Sequence, residues 1–303
     1  MNNFVNFFRH FRNDYFRFEN NLKNSLIFLP LFISQSKLLF TDLFNLFLGF
    51  IIFTIITSIC YATNNFTDKE KDKFNSLKGN FKTFNKKTIL QLNLFLFFLL
   101  GLLFYNSELF SIFLIIYLIL FYLYNFLIKN IFLLDIIFLV SFYLIRIYYG
   151  ASIVDIDITY WFLIFFLSLF FMLAIFKRMI QINVNNLVTK NVVISYSSKN
   201  SNFLKLLIVS FLFINIGIYF LYICEIANPG TFDFFSSGVT RYEIGIVSLA
   251  LFFVVYLFWI LRLINLIIKK KVKKDIYIFL IRDINSYICL SIVISVLILQ
   301  KII

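Results

Sequence analysis

The sequence predicts an all-α polytopic membrane bundle of nine transmembrane helices with its N-terminus in the cytosol. Three observations predict it. Sixty-one per cent of the residues are hydrophobic and the mean hydropathy is +0.91, which excludes an ordinary soluble domain. Many apolar runs reach the roughly 20 residues needed to cross a bilayer as a helix. The basic residues gather in alternate connections, as cytosolic loops do.

Residues 1–23 are polar and basic. They read as a cytosolic segment ahead of a single membrane domain at 24–303, and not as a cleaved signal, since no small-residue cleavage site follows a short apolar core. Spans are expected at about 24–40 (interrupted by Pro30), 43–63, 88–105, 108–128, 132–153, 159–176, 203–224, 243–265 and 284–303. Polar stretches are expected from the second span through Lys87 and again over 177–202. Arg9, Arg12, Arg17 and Lys23, the lysines from Lys69 to Lys87, Lys129, Lys177 to Lys205, and Arg262 through Arg282 then all fall inside. Only Lys37, Arg146, Arg241 and Lys301 fall elsewhere. A wrong span count would scramble that regularity. The formal net charge of +13 is thereby assigned to topology and anionic lipid headgroups, and not to nucleic acid.

Several chemistries are excluded. Cys60, Cys224 and Cys289 lie in apolar runs with no CxxC spacing, which argues against zinc and a disulfide framework. The one histidine, His10, lies in the polar N-terminal stretch. No GxSxG, P-loop, HExxH or Rossmann pattern is present.

What remains centres on residues 58–78, where Asn64, Asp68 and Asp72 stand four apart. In a helix the three share one face. Two carboxylates and an amide at the mouth of a span suit Mg²⁺, which takes oxygen ligands, keeps water and is shared with substrate phosphates; a solvated helix end is the plainer reading. Lys23, Asn24, Lys78, Lys129, Asp135, Lys177, Arg178, Arg262 and Asp283 fall on the same cytosolic side under this topology. Carboxylates for Mg²⁺ beside several cations describe a polyphosphate site. Taken singly, Lys78, Lys129 and Lys177 also read as interfacial anchors. Arg146 lies about four turns into the fifth span, where a charge costs at least roughly 2.5 kcal/mol unless it is paired or hydrated. It needs a partner: a ligand if functional, an intramembrane acid if structural. Gly150, one turn on, permits close helix packing.

The stretch Asn64-Asn65-x-x-Asp68-x-x-x-Asp72 resembles the first Mg²⁺-diphosphate signature of the UbiA-type membrane prenyltransferase superfamily. A closer resemblance is to its polyprenyl-phosphate phosphoribosyltransferase branch, the decaprenylphosphoryl-ribose-phosphate synthase type. Arg17…Lys23-Asn24, then Ser58…Tyr61…Asn64…Asp68…Asp72…Lys78, then Lys129…Asp135…Arg146…Gly150…Trp161, then Ala174-Ile-Phe-Lys177-Arg178, and finally Arg262 and Asp283, match that branch in order. The Lys177-Arg178 pair stands where ordinary prenyltransferases carry a second Asp-rich motif. The departures are Asn65 in place of an Asp, Gln181 where an acid often follows the Lys-Arg pair, and Gly79-Asn80 where an Arg-Pro is expected after Lys78.

The resemblance implies a Mg²⁺-dependent enzyme of the inner cell membrane, its active site facing the cytosol. It would move 5-phosphoribosyl from phosphoribosyl diphosphate to a polyprenyl phosphate, for cell-envelope polysaccharide synthesis. It implies metal binding by Asn64, Asp68 and Asp72. Donor binding falls to Lys23, Asn24, Lys78, Lys129, Asp135, Arg146, Lys177 and Arg178, with secondary places for Tyr61, Asn65, Gln181, Arg262 and Asp283. No general base is assigned. The alternatives are prenyl transfer from a prenyl diphosphate to an aromatic or other acceptor, and a non-catalytic membrane protein on the same scaffold.

Overall fold

Lipid offers backbone N–H and C=O groups no partner, so an apolar chain of this composition must close its hydrogen bonds within helices. The structure, a computed structural model, describes residues 21–33, 39–69, 83–106, 108–188, 196, 200–227, 246–273 and 275–302; among these there are helices and no strand. A 3-10 segment, Leu22–Phe28, leads into α1 (Leu29–Ile33). Then come α2 (Phe40–Thr67), α3 (Lys86–Asn106), α4 (Glu108–Leu123) with a π-helical continuation Tyr124–Ile128, and α5 (Leu134–Ile153). The remainder is α6 (Tyr160–Val188), α7 (Ser201–Ala227), α8 (Ile246–Ile268), α9 (Ile276–Arg282) and α10 (Ile284–Ile302).

Residues 34–38 and 243–245 of the expected spans lie outside the described residues. Among the described residues, six helices are long and apolar enough to cross a membrane, and a seventh span results if α9 and α10, bent by 78°, are counted as one. The other two stretches, Leu22–Phe32 and Ile112–Ile128, are shorter. The surface agrees with a lipid setting. Leu90, Leu94, Phe97 and Phe98 of α3 are each more than half exposed, a run of apolar surface a soluble monomer does not carry.

The sixth helix runs further than expected. Residues 177–188 continue α6 and are not a polar loop, because Met179, Ile180, Ile182 and Val184 extend its buried face. Lys177, Arg178 and Gln181 therefore ride on a helix. Its start is set by Thr159, whose Oγ1 accepts from the N–H of Phe162 at 3.3 Å, an N-terminal cap.

The described residues form two compact units, divided chiefly after Asp155, with residues 30–33 assigned to the second and 184–188 to the first. The first contains the 3-10 segment and α2 to α5. Its central element is α5, with 61% of its span buried, packed against the 3-10 segment, α4 and α2. The 3-10 winding has a local cause. The N–H of Leu29 reaches the Leu26 carbonyl, a bond from three residues on, and Pro30 has no N–H with which to make the α-type bond to that carbonyl. Gly150 of α5 allows the segment in: a Cβ there would lie 1.9 Å from the Ile27 carbonyl oxygen.

The second unit contains α6 through Asn183 and α7 to α10. Asn215 of α7, fully buried, donates to the Phe165 carbonyl (3.0 Å) and to Ser168 Oγ (2.5 Å) on α6. Such amide contacts hold helices together where apolar packing alone has no preference over lipid. Asn183 Nδ2 similarly donates to the Ile267 carbonyl of α8 at 3.1 Å.

Substituting Gly150 by Ala drives a methyl into a backbone carbonyl that has no rotamer to escape with. We expect Gly150→Ala to lower stability by about 1–3 kcal/mol, the usual cost of overpacking, read as the melting temperature in detergent. Gly101→Ala and Gly217→Ala, where a Cβ meets nothing within 4 Å, leave it unchanged or slightly raised.

Candidate functional site

The first unit holds most of the described sequence-nominated polar residues, in two separate groups. Arg146 is the deepest. It is 2% exposed and lies between two aromatic rings, its Cζ 5.2 Å from the centroids of both Phe53 and Tyr117. Its Nε donates to Asn24 Oδ1 at 2.9 Å, Nη1 to the Phe142 carbonyl, and Nη2 to the Tyr117 hydroxyl at 3.4 Å. The structural alternative for Arg146, an ion pair with an intramembrane acid, is thereby corrected: among the described residues its partners are an amide, a carbonyl, a phenol and two ring faces. Energetics permit this. A hydrogen bond to a charged group contributes about 1.5–3 kcal/mol and a desolvated cation–π contact about 2, together enough to offset an intramembrane cost that starts near 2.5.

Asn24 links this guanidinium to α2. Fully buried in the 3-10 segment, it also donates through Nδ2 to Thr54 Oγ1 (3.1 Å) and Thr57 Oγ1 (3.0 Å). Asn21 completes the lattice: its Oδ1 accepts from Thr57 Oγ1 at 3.0 Å and its Nδ2 donates to Ser58 Oγ at 2.7 Å. Sequence reasoning nominated Asn24 and Arg146 but missed Asn21, Thr57 and Tyr117. The signal was present, in two hydroxyl-bearing residues at successive positions of an apolar helix, but short polar side chains are common in spans.

The second cluster is at the end of α2. That helix finishes at Thr67 with Asp68 as its cap, and the Asp68 N–H reaches the Asn64 carbonyl at 3.0 Å. Asn64 and Asp68 therefore stand one turn apart, as the spacing predicts. Asp68 is 7% exposed, Asn65 is 2% exposed and Tyr61 and Asn64 are half-buried. Asp72 and Lys78 lie outside the described residues. Asp68 Oδ1 pairs with Lys129 Nζ. Lys129 also donates to Asn125 Oδ1 (3.2 Å), which accepts from Thr67 Oγ1 at 3.2 Å as well.

Lys129 arrives there because the chain winds as a π-helix over Tyr124–Ile128, the Lys129 N–H bonding five residues back to the Tyr124 carbonyl at 3.0 Å. π-Helical turns are rare and concentrate at functional sites. Neither this winding nor Asn125 was legible in the sequence. After it, Leu133 adopts a positive φ of 65° and α5 begins, with Asp135 in its first turn and 0% exposed. Lys23 is half-buried on the 3-10 segment.

In kind, the donors at the end of α2 fit Mg²⁺: one carboxylate and neighbouring amides, all oxygen. In number they leave most of the coordination to water and phosphate, the usual condition for this ion. No cluster of three or more His, Cys, Asp or Glu occurs among the described residues.

The second unit holds the remaining candidates. Lys177 is half-buried and Arg178 is 8% exposed. Arg178 Nη1 donates to Gln181 Oε1 at 2.7 Å, and its Cζ lies 5.5 Å from the Tyr196 ring centroid. Arg262 and Asp283 form a bidentate pair, Nη1 to Oδ2 and Nη2 to Oδ1, both 2.6 Å. Asp283 Oδ2 further accepts from the Ser286 N–H (3.0 Å) and hydroxyl (2.7 Å), and Ser286 Oγ accepts from Trp259 Nε1 at 3.1 Å.

Comparison with known protein families finds no family model that matches this chain, and no curated protein matches it.

The Arg146–Asn24 bond is expected to be a stability element in its own right. Asn24→Ala leaves a buried N–H of a guanidinium bare and should cost about 1–3 kcal/mol. A double-mutant cycle with Arg146→Met, followed by denaturant melting in detergent, should return a coupling of 0.5 kcal/mol or more. Coupling near zero means that the two side chains do not depend on each other.

Proposed function

We propose that this chain is a Mg²⁺-dependent membrane transferase of the UbiA type, moving 5-phosphoribosyl from phosphoribosyl diphosphate to a polyprenyl phosphate. The observation that supports the reading best is the pairing, at one helix end, of the Asp68 carboxylate with the Lys129 ammonium, one turn beyond Asn64. A diphosphate asks for a hard cation on oxygen donors and a second positive charge beside it. The proposal includes nine spans, a cytosolic N-terminus, and a site facing the cytosol from the inner cell membrane. Asn64, Asp68 and Asp72 would hold Mg²⁺, which supplies charge to the departing diphosphate.

The residues' own part is electrostatic. With Asp68 engaged by the metal, the Lys129 ammonium that now pairs with it would be free to meet a phosphate oxygen. The bond between C1 of the ribose and the diphosphate oxygen breaks, and the diphosphate leaves with the electron pair. An oxygen of the polyprenyl phosphate forms the new bond to C1. That nucleophile is already anionic, so no proton needs to be removed and no general base is assigned. Lys177 and Arg178 are given a donor-phosphate role on the strength of the resemblance. Lys23, Lys78, Asp135, Gln181 and Asn65 keep supporting roles on the same ground. Arg262 and Asp283 are already engaged with each other, which favours a structural role for that pair.

The prenyl-transfer alternative wants a second acidic pair, where this chain has Lys177-Arg178. The non-catalytic alternative draws on a specific observation: Lys129 already neutralises Asp68, so the site has no standing need of a metal.

Membranes carrying the protein, given phosphoribosyl diphosphate labelled in the ribose and a polyprenyl phosphate, are expected to yield a labelled lipid only when Mg²⁺ is present. Asp68→Asn should lower its formation at least a hundredfold and Lys129→Ala at least tenfold, with Gly101→Ala unchanged. Absence of a Mg²⁺-dependent lipid product, or equal rates in all variants, rejects the reading. Diphosphate release from prenyl diphosphates instead would establish the alternative.

A further inference from the structure

We propose that residues 269–273 and 276–282 of the second unit form a binding surface for anionic phospholipid headgroups: a lysine-bearing turn and an apolar helix that lies along the membrane surface. It rests on the membrane setting of the chain and not on the transferase reading.

Geometry comes first. α8 ends at Ile268, and the axis of the short helix α9 turns by 78° from that of α10. If α10 crosses the bilayer near its normal, α9 lies close to the membrane plane. The turn is fastened rather than incidental. Asp283 terminates α9 and accepts the backbone and hydroxyl of Ser286 in the first turn of α10, while Arg262 of α8 grips both its oxygens. At its other end α9 is capped by Asp275, whose Oδ1 accepts from the Tyr277 N–H at 3.1 Å. Apart from Arg282 at its end, α9 is Ile-Tyr-Ile-Phe-Leu-Ile. Ile276 is buried, and Tyr277 to Ile281 are all half-buried. A helix so apolar, too short to cross and turned sideways belongs at the boundary between headgroups and acyl chains.

Charge comes second. Lys269, Lys270, Lys271 and Lys273 are all exposed, and none makes an ion pair with a described residue, while Val272 between them is 2% exposed and anchors the turn. Lys270 is the informative member. Its N–H reaches the Ile267 carbonyl (3.0 Å) and that of Lys271 reaches the Leu266 carbonyl (2.9 Å). With φ of 55° at Lys270, this is the left-handed helix stop that glycine fills most cheaply. The fold therefore gains nothing from a lysine side chain at that position and bears a backbone penalty for it. Four unpaired ammonium groups on one tight turn, next to an interfacial helix, are complementary to a leaflet of negative headgroups, each contributing near the surface and weakening within a Debye length.

The test uses the full-length protein reconstituted in phosphatidylcholine vesicles. Trp161 and Trp259 are replaced by Phe and a single reporter is placed in α9 by Phe279→Trp. Its fluorescence is quenched by a minor fraction of phosphatidylglycerol, or of phosphatidylcholine, brominated at stated acyl positions. Bromines near the headgroup should quench more than those deep in the chain. Brominated phosphatidylglycerol should quench at lower mole fraction than phosphatidylcholine, and the preference should shrink as salt rises. Lys270→Gly should reduce that preference roughly two- to fivefold while leaving the melting temperature equal or higher, which separates lipid binding from folding. Replacing Lys269, Lys270, Lys271 and Lys273 together by Gln should abolish it. Equal quenching by the two headgroups, a preference that survives the fourfold replacement, or strongest quenching from the deepest bromines overturns the proposal. Because no substrate is present, failure here leaves the transferase reading where it stood, and loss of transferase activity leaves this one.

Discussion

A guanidinium buried among hydrocarbon must be satisfied from inside the protein, and in this chain that requirement organises the first unit. Arg146 draws Asn24 to itself, Asn24 draws Thr54 and Thr57, and Asn21 closes onto Thr57 and Ser58. The result is that a short 3-10 segment, with little intrinsic stability, is held against α2 and α5 at one register. Gly150 makes the approach sterically possible and Pro30 makes the tight winding preferable. The four features form one device: without the charge there would be no reason to place so many amides and hydroxyls there, and without the glycine the segment could not reach them.

The same logic operates at the C-terminal end of α2. Asp68 is held by Lys129, and Lys129 is delivered by a π-helical turn that also brings Asn125 to Thr67. Asp68 and Lys129 are largely buried, their side chains 10% and 16% exposed, so each supplies the charge that the other needs. That distinguishes the pair from Arg146, whose partners are backbone, amide and aromatic groups with nowhere else to go. The second unit repeats the contrast. Arg262 and Asp283 are spent on fixing the corner between α9 and α10, whereas the lysines at the end of α8 make no ion pair with a described residue.

Composition and the spacing of basic residues were sufficient for the class, an all-helical membrane chain, because the bilayer permits so few solutions. Among the described residues six or seven helices are apolar and long enough to cross a membrane, and the four-residue spacing of Asn64 and Asp68 places them on adjacent turns as anticipated. The singular cost of an intramembrane arginine also marked Arg146 from sequence alone. Helix lengths were less legible: α6 extends to Val188 because buried apolar residues past Lys177 and Arg178 outweigh the two charges.

Partnership belonged to the tertiary structure. Arg146 finds Asn24 across 122 residues and Lys129 finds Asp68 across 61, and separations of that size leave no local trace. The π-turn at Tyr124–Ile128, the left-handed backbone of Lys270 and the 78° corner before α10 are likewise set by what packs against each segment. Sequence decides which groups cannot be left alone in lipid; only the folded chain decides which others come to meet them, because hydrogen bonds and steric fit act between neighbours in space.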